Sequence, residues 1–229
     1  MASGSSRASS RKPSRRCVAD ERHERVSSLL RAPGWIVATH NAGKLAEIRA
    51  LLANLGVALR SLDAVPGLEL PAEGDDYERN AVAKARAVAE RAGLPALGDD
   101  SGLEVDALGG RPGVHSARYG GPGLDDAGRV ALLLRELAGV PELERKARFV
   151  CVVALVTPEG DTLLARGHCP GRILEAPRGR AGFGYDPVFA AEGRELSMAE
   201  LPSAEKNAVS HRGRALVALR ARLLCRDDS

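Results

Sequence analysis

Leu97-Gly98-Asp99-Asp100-Ser101-Gly102-Leu103-Glu104-Val105-Asp106 places two adjacent carboxylates and a hydroxyl between two short apolar runs, 94–97 and 103–108, with a glycine beside each run. If both runs are strands, the alternation of side chains along extended backbone sends Asp99 and Asp100 to opposite faces. One carboxylate can then serve a site while the other braces the loop. What the carboxylates act on has to come from the sequence on either side.

Upstream, residues 77–91 read as a helix whose alanines (Ala81, Ala83, Ala85, Ala87, Ala89) permit close packing, with Asp75 or Asp76 as cap and Gly93 as stop. Asn80 and Lys84 lie four apart and share a face of it, where they either brace a site or are solvated. An acidic, turn-prone stretch, 69–76, precedes the helix, and 57–62 reads as a strand before that. Trp35-Ile36-Val37-Ala38 reads as a buried strand that turns at Thr39-His40-Asn41-Ala42-Gly43-Lys44 into a helix carried by Leu45, Ile48, Leu51, Leu52 and Leu55. A strand ending in a polar, glycine-containing turn that feeds a helix aims free N–H groups at whatever sits above it, a geometry suited to phosphate. It is not a Walker loop, which would need Gly at Ala38 and Ser or Thr at Leu45. The plainer reading makes Asn41 an N-cap and Lys44 a solvated lysine.

Downstream, 109–119 (Gly-Gly-Arg-Pro-Gly-Val-His-Ser-Ala-Arg-Tyr) is a tight irregular loop, and Asp125 caps a helix through Leu137. The β-branched run 148–157 is the best central-strand candidate, and Pro158-Glu159-Gly160-Asp161 turns it into a hairpin with 162–169. In 179–189, Phe183 and Tyr185 stand between glycines, so a ring can stack on a nucleobase or plug the end of a core. Residues 203–214 open the last helix, carried by Ala215, Leu216, Leu219 and Leu223, and put Ser203, Lys206, Ser210, His211 and Arg212 at a helix start.

Composition bounds the answer. The 229 residues suit one domain, or one domain of two lobes. Net charge is +3, but residues 1–34 hold eight basic and three acidic side chains, leaving 25 basic and 27 acidic ones in the body. A near-neutral body argues against a nucleic-acid-coating domain. Residues 1–33, rich in Ser and Arg, read as a disordered basic extension ahead of a domain over 34–229. Cys17, Cys151, Cys169 and Cys225 lack zinc-site spacing and read as reduced thiols, and no apolar run suits a membrane span or a secretory signal. A soluble, cytoplasmic protein is expected.

Five ordered motifs, 39–44, 99–102, 109–119, 182–189 and 205–213, closely resemble those of the inosine triphosphate pyrophosphatase family. The resemblance covers 35–225 and implies a two-lobed α/β fold, a curved mixed sheet flanked by helices with the active cleft between lobes. It implies Mg2+-dependent hydrolysis of dITP, ITP and XTP to the monophosphate plus pyrophosphate, and a homodimer. Carried over by residue, it makes Thr39, His40, Asn41, Ala42, Gly43 and Lys44 the triphosphate turn. Asp100 becomes the water-activating base and a metal ligand, and Ser101 a substrate contact. Phe183, Gly184, Tyr185 and Asp186 line the base pocket, Lys206 contacts the nucleotide, and His211 with Arg212 face the purine. The pattern departs where many members carry a metal-binding glutamate: Pro71 stands there, so either Glu69 or Glu73 substitutes as the second ligand or the metal relies on Asp100 and water. Asp99 is left as a supporting residue. The rival expectations are a nucleotide sensor without catalysis and an RNA-associated protein guided by the basic arm.

Overall fold

The two carboxylates lie in mid-strand, not in a turn between two strands. In the computed structural model, which describes residues 29–224, a single strand β3 (Ala96–Val105) runs unbroken through the motif. It is the axis of a mixed seven-stranded sheet. The other strands are β1 (Trp35–Val37), β2 (Leu59–Arg60), β4 (Pro112–Gly113), β5 (Lys146–Val156), β6 (Thr162–Ile173) and β7 (Phe189–Ala191). The order is β2-β1-β3-β5-β6-β7, with β4 on the free edge of β3. β1 is parallel to β2 and β3, and the remaining pairs are antiparallel. The expected hairpin is β5–β6, paired from Lys146↔Arg172 to Val156↔Thr162.

Among the described residues, five complete helices cover the sheet: α1 (Ala42–Leu52), α2 (Tyr77–Ala92), α3 (Asp126–Glu136), α4 (Ser203–Val209) and α5 (His211–Leu224). Their starts follow the expected capping chemistry, since Asn41, Asp76 and Asp125 each accept a backbone N–H from the first turn. Two expectations are corrected. The strand expected over 57–62 pairs only at Leu59–Arg60, because the chain bends where Ser61 Oγ donates to Asp63 and Val65 N–H returns to the Leu62 carbonyl. The last helix is two helices: Ser210 is extended (ψ 155°). Its Oγ accepts Gly213 N–H at 3.0 Å, capping α5 so that His211 and Arg212 occupy the first turn.

Strand alternation sorts the core. Leu97, Cys151, Val153 and Leu155 share a face with Ile48 of α1 and Leu216 and Leu219 of α5. Ala96, Val152, Ala154 and Val156 face the other way, onto Ala81, Ala85 and Val88 of α2. Further along the first face a separate core gathers Leu103, Val105, Phe149, Cys169 and Ile173 with Leu133 of α3 and Phe189. The long strands thus span two lobes, and between the two cores on one face lie Asp99 and Ser101.

The glycines flanking the carboxylates have distinct packing roles. A Cβ at Gly98 would sit 2.3 Å from the Ala81 carbonyl, so Gly98 lets α2 lie directly on β3. At Gly102 it would sit 2.0 Å from the Gly113 carbonyl and 2.7 Å from Tyr77 Oη, so Gly102 admits the 109–119 loop.

The extension expected over 1–33 falls mostly outside the described residues. Its end belongs to the body, for Leu29 is buried and its carbonyl accepts the Trp35 indole N–H at 2.9 Å. Among the described residues no helix is long and apolar enough to cross a membrane.

Candidate active site

β3 is longer than its neighbour β1, and that mismatch creates the site. Pairing with β1 ends where Ala38 N–H meets the Leu97 carbonyl at 2.8 Å, and β4 takes over only at Leu103↔Gly113. Residues 98–102 therefore have no strand on that edge among the described residues, and both faces of the sheet are approached there. The turn 39–44 closes one side of the gap. It is held by Thr39 Oγ1 accepting Asn41 N–H and by Asn41 Oδ1 accepting Lys44 N–H, at 3.1 and 2.9 Å. His40, Asn41 and Ala42 are exposed, leaving the turn open to a ligand.

On one face Asp100 is held by α2. Asn80 Nδ2 donates to its Oδ2 at 2.9 Å, and Lys84 Nζ approaches its Oδ1 at 3.2 Å. The two residues four apart on α2 are buried and brace the site. Burial pushes the Asp100 carboxyl above the usual aspartate value, although Lys84 and Asn80 oppose it. Burial also works against charge on Lys84, but Asp100, Asp99 and Glu73 outweigh it and its pKa ends raised. Lys84 is shared with Glu73 Oε1 at 2.8 Å, and Arg118 from the 109–119 loop holds Glu73 Oε2 at 3.0 Å. Glu69 is exposed on the approach to that turn.

On the other face Asp99 Oδ2 meets Lys44 Nζ at 3.1 Å and Arg212 Nη2 at 3.0 Å. Burial would raise its pKa, but Lys44, Arg212 and Lys84 hold it well below the usual carboxylate range. Glu47 Oε2 takes Arg212 Nη1 at 2.5 Å, and Glu47 Oε1 takes Lys206 Nζ at 2.7 Å. Lys206 in turn reaches Asp186 Oδ2 at 2.6 Å. The half-buried Phe183 ring lies 5.0 Å from Lys206 Nζ and 5.8 Å from the Arg212 guanidinium carbon. Gly43 of the turn has room only for hydrogen there, since a Cβ would sit 2.5 Å from the ring. His211 stacks on Phe149 at 4.6 Å, its Nδ1 has no hydrogen-bond partner among the described residues, and burial, then Arg212, hold its pKa well below the usual histidine value.

Most of the sequence-derived residues thus converge, while Glu69 is exposed and Gly184 and Tyr185 are held by other partners. Tyr185 is a core plug: its ring is buried in the second lobe's core and its hydroxyl donates to the Ser116 carbonyl at 3.0 Å. Gly184 N–H is tied to Asp126 at 2.8 Å, and Asp186 Oδ2 accepts Phe183 N–H at 2.9 Å, so this loop presents Phe183 alone. Sequence reasoning passed over Glu47 and Arg118. Glu47 stands next to the buried Ile48, three residues after Lys44, and that border position was its only signal. Arg118 had none beyond membership of a glycine-rich loop.

Among the described residues no three His, Cys, Asp or Glu side chains converge as a metal cage. Asp100 and Glu73 nevertheless bring two carboxylates to one ammonium. Mg2+ takes one or two carboxylates, substrate phosphates and water, so this oxygen pair fits it. The geometry as a whole offers an anion-holding turn, a buried carboxylate at an open edge, a stacking ring and rigid donors.

Residues 35–222 match the model of the Ham1 family. The chain is similar to the dITP/XTP pyrophosphatase of Geobacillus kaustophilus, 52% identical over 185 residues, 80% of this chain and 91% of that protein. It is likewise similar to the dITP/XTP pyrophosphatase of Geobacter sulfurreducens, 51% identical over 82% of this chain and 95% of the relative. A solved Ham1 protein from Coxiella burnetii superposes with a TM-score of 0.73 at 41% identity, covering 83% of this chain and 98% of the other. The nucleoside-triphosphatase / dITP/XTP pyrophosphatase of Mycobacterium abscessus gives 0.65 at 48% identity, covering 81% and 97%.

Proposed function

The chain belongs to the Ham1 family, and we propose from that premise that it hydrolyses the non-canonical purine nucleotides dITP, ITP and XTP to monophosphate and pyrophosphate. The observation that carries the chemistry is the position of Asp100. It is a buried carboxylate at the open edge of β3, and β1, the neighbouring strand, leads into a phosphate-type turn.

In this reading the N–H groups of 39–44 and Lys44 hold the triphosphate, aided by the positive end of α1. Asp100 accepts a proton from the water that attacks the α-phosphorus in line with the departing pyrophosphate. Asn80 and Lys84 fix its direction, and its raised pKa makes it a better acceptor than an exposed aspartate. Asp100 and Glu73 would hold Mg2+, which when bound screens phosphate charge and polarises water. Ser101 contacts the substrate between the two ends. Phe183 stacks on the purine, and Lys206, His211 and Arg212 present donors to it. Hypoxanthine and xanthine offer a 6-oxo acceptor, whereas adenine offers an amino group that leaves a buried donor unpaired. The finer reading includes a homodimer in the cytoplasm with no nucleic-acid partner.

Assay of the purified protein with dITP, ITP, XTP, ATP and GTP, with product identification, tests this. The expected result is pyrophosphate release that is much faster from the first three. Equal rates on all five, or orthophosphate as primary product, would refute it, and tight ITP binding without turnover would favour a sensor.

A further inference from the structure

Asp99 and Asp100 are chemical neighbours with separate tasks, and the contacts of Asp99 are the less expected. One oxygen, Oδ2, gathers Lys44 Nζ at 3.1 Å from the phosphate turn and Arg212 Nη2 and Nε at 3.0 and 3.3 Å from the first turn of α5. The residues it joins lie 168 positions apart in the chain, at the two ends of the proposed nucleotide site. Ser101 Oγ takes Nη2 at 3.0 Å, and Glu47 Oε2 takes Nη1 at 2.5 Å.

Arg212 carries five N–H donors in a fixed plane. Four are engaged, by Asp99 twice, by Ser101 and by Glu47, leaving one N–H on Nη1. A free arginine can turn its fork to meet an acceptor or swing away from a donor. This one cannot, because its plane is fixed on two edges and it is buried to 1% exposure.

We propose that Asp99 is a specificity-positioning residue: by tying Arg212 to the phosphate turn through Lys44, it fixes the guanidinium that discriminates a 6-oxo from a 6-amino purine. The inference rests on the hydrolytic reading above. It also explains why the carboxylate pair is needed as a pair: alternation gives Asp100 the water and Asp99 the register between the triphosphate and the base. With Asp99 neutralised, Arg212 keeps Glu47 and Ser101, while its two bonds to residue 99 lose their charge assistance. It can then move aside, so adenine nucleotides lose their penalty and 6-oxo nucleotides lose a well-aimed donor.

The test is Asp99→Asn, assayed as the ratio of kcat/KM for dITP to that for dATP, with thermal melting measured alongside. The ratio is expected to fall about ten-fold, the size of effect that follows when a charge-assisted hydrogen bond goes slack. Loss of turnover on both nucleotides in equal proportion, with the ratio unchanged to within about two-fold, overturns the proposal and leaves Asp99 a plain structural residue. Should Asp99→Asn fail to fold, Asp99→Glu keeps the charge but displaces the oxygen by one methylene. The same fall in the ratio is expected, and an unchanged ratio overturns it. Wild-type protein that does not prefer dITP to dATP would count against the hydrolytic reading itself, a result distinct from either variant's.

Discussion

At the scale of single residues, the site works by giving like groups unlike surroundings. Asp100 is raised by burial, whereas Asp99 is held low by Lys44 and Arg212. Asp100→Asn is expected to keep the thermal transition and lose roughly 10²–10⁴-fold in kcat, the usual contribution of a general base. His211 gives a stability prediction. Burial, with Arg212 beside it, holds its pKa in the folded protein well below the ordinary histidine value of 6.5, so below pH 6.5 the unfolded chain takes up a proton that the folded chain refuses. Its contribution is therefore fully present above that pH and lost as pH falls, by up to about 1.4 kcal/mol per pH unit. Chemical denaturation at pH 7 and pH 5 should show a smaller loss in His211→Asn than in wild type. That Asp100, Lys206, His211 and Arg212 belong together was legible from their motifs, whereas the contacts of Asp99 were not. Its partners sit on α1 and α5, and no spacing rule reaches across that distance.

At the scale of elements, the decisive event is a mismatch of strand lengths. β1 stops beside Leu97 while β3 runs on to Val105, and Asp100 lies in the interval. The sequence showed two apolar runs around a polar centre, which suggested two strands and a loop. The centre is strand because β5 pairs across it without a break, from Ala96↔Val156 to Val105↔Ala147. Helix starts were readable from Asn41, Asp76 and Asp125, since capping is local chemistry. The break at Ser210 was not, because its cap competes with helix propensity over only a few residues. Close approach of α2 gives a further test. Gly98→Ala places a Cβ 2.3 Å from the Ala81 carbonyl, which is backbone and yields only if the helix shifts. About 1–3 kcal/mol of destabilisation is expected from denaturant titration, as for other overpacked sites. Gly43→Ala meets the Phe183 ring instead and should raise KM for dITP with little change in melting.

At the scale of the whole molecule, two cores on one face of a shared sheet leave a polar band between them, where Asp99 and Ser101 meet Arg212. The two-lobed α/β architecture followed from the family resemblance, whereas the boundary of the basic extension did not follow from composition. Leu29 lies in the Ser/Arg-rich segment, yet it is 5% exposed and caps the Trp35 indole. Removing 1–33 should cost about 2 kcal/mol of stability through the lost leucine, as measured by thermal unfolding. The central claim is that Asp100 directs water at the α-phosphorus, and hydrolysis of dITP in ¹⁸O-water reads this directly. The label is expected in the nucleoside monophosphate, with unlabelled pyrophosphate. Label in the pyrophosphate would place the attack on the β-phosphorus and contradict the account.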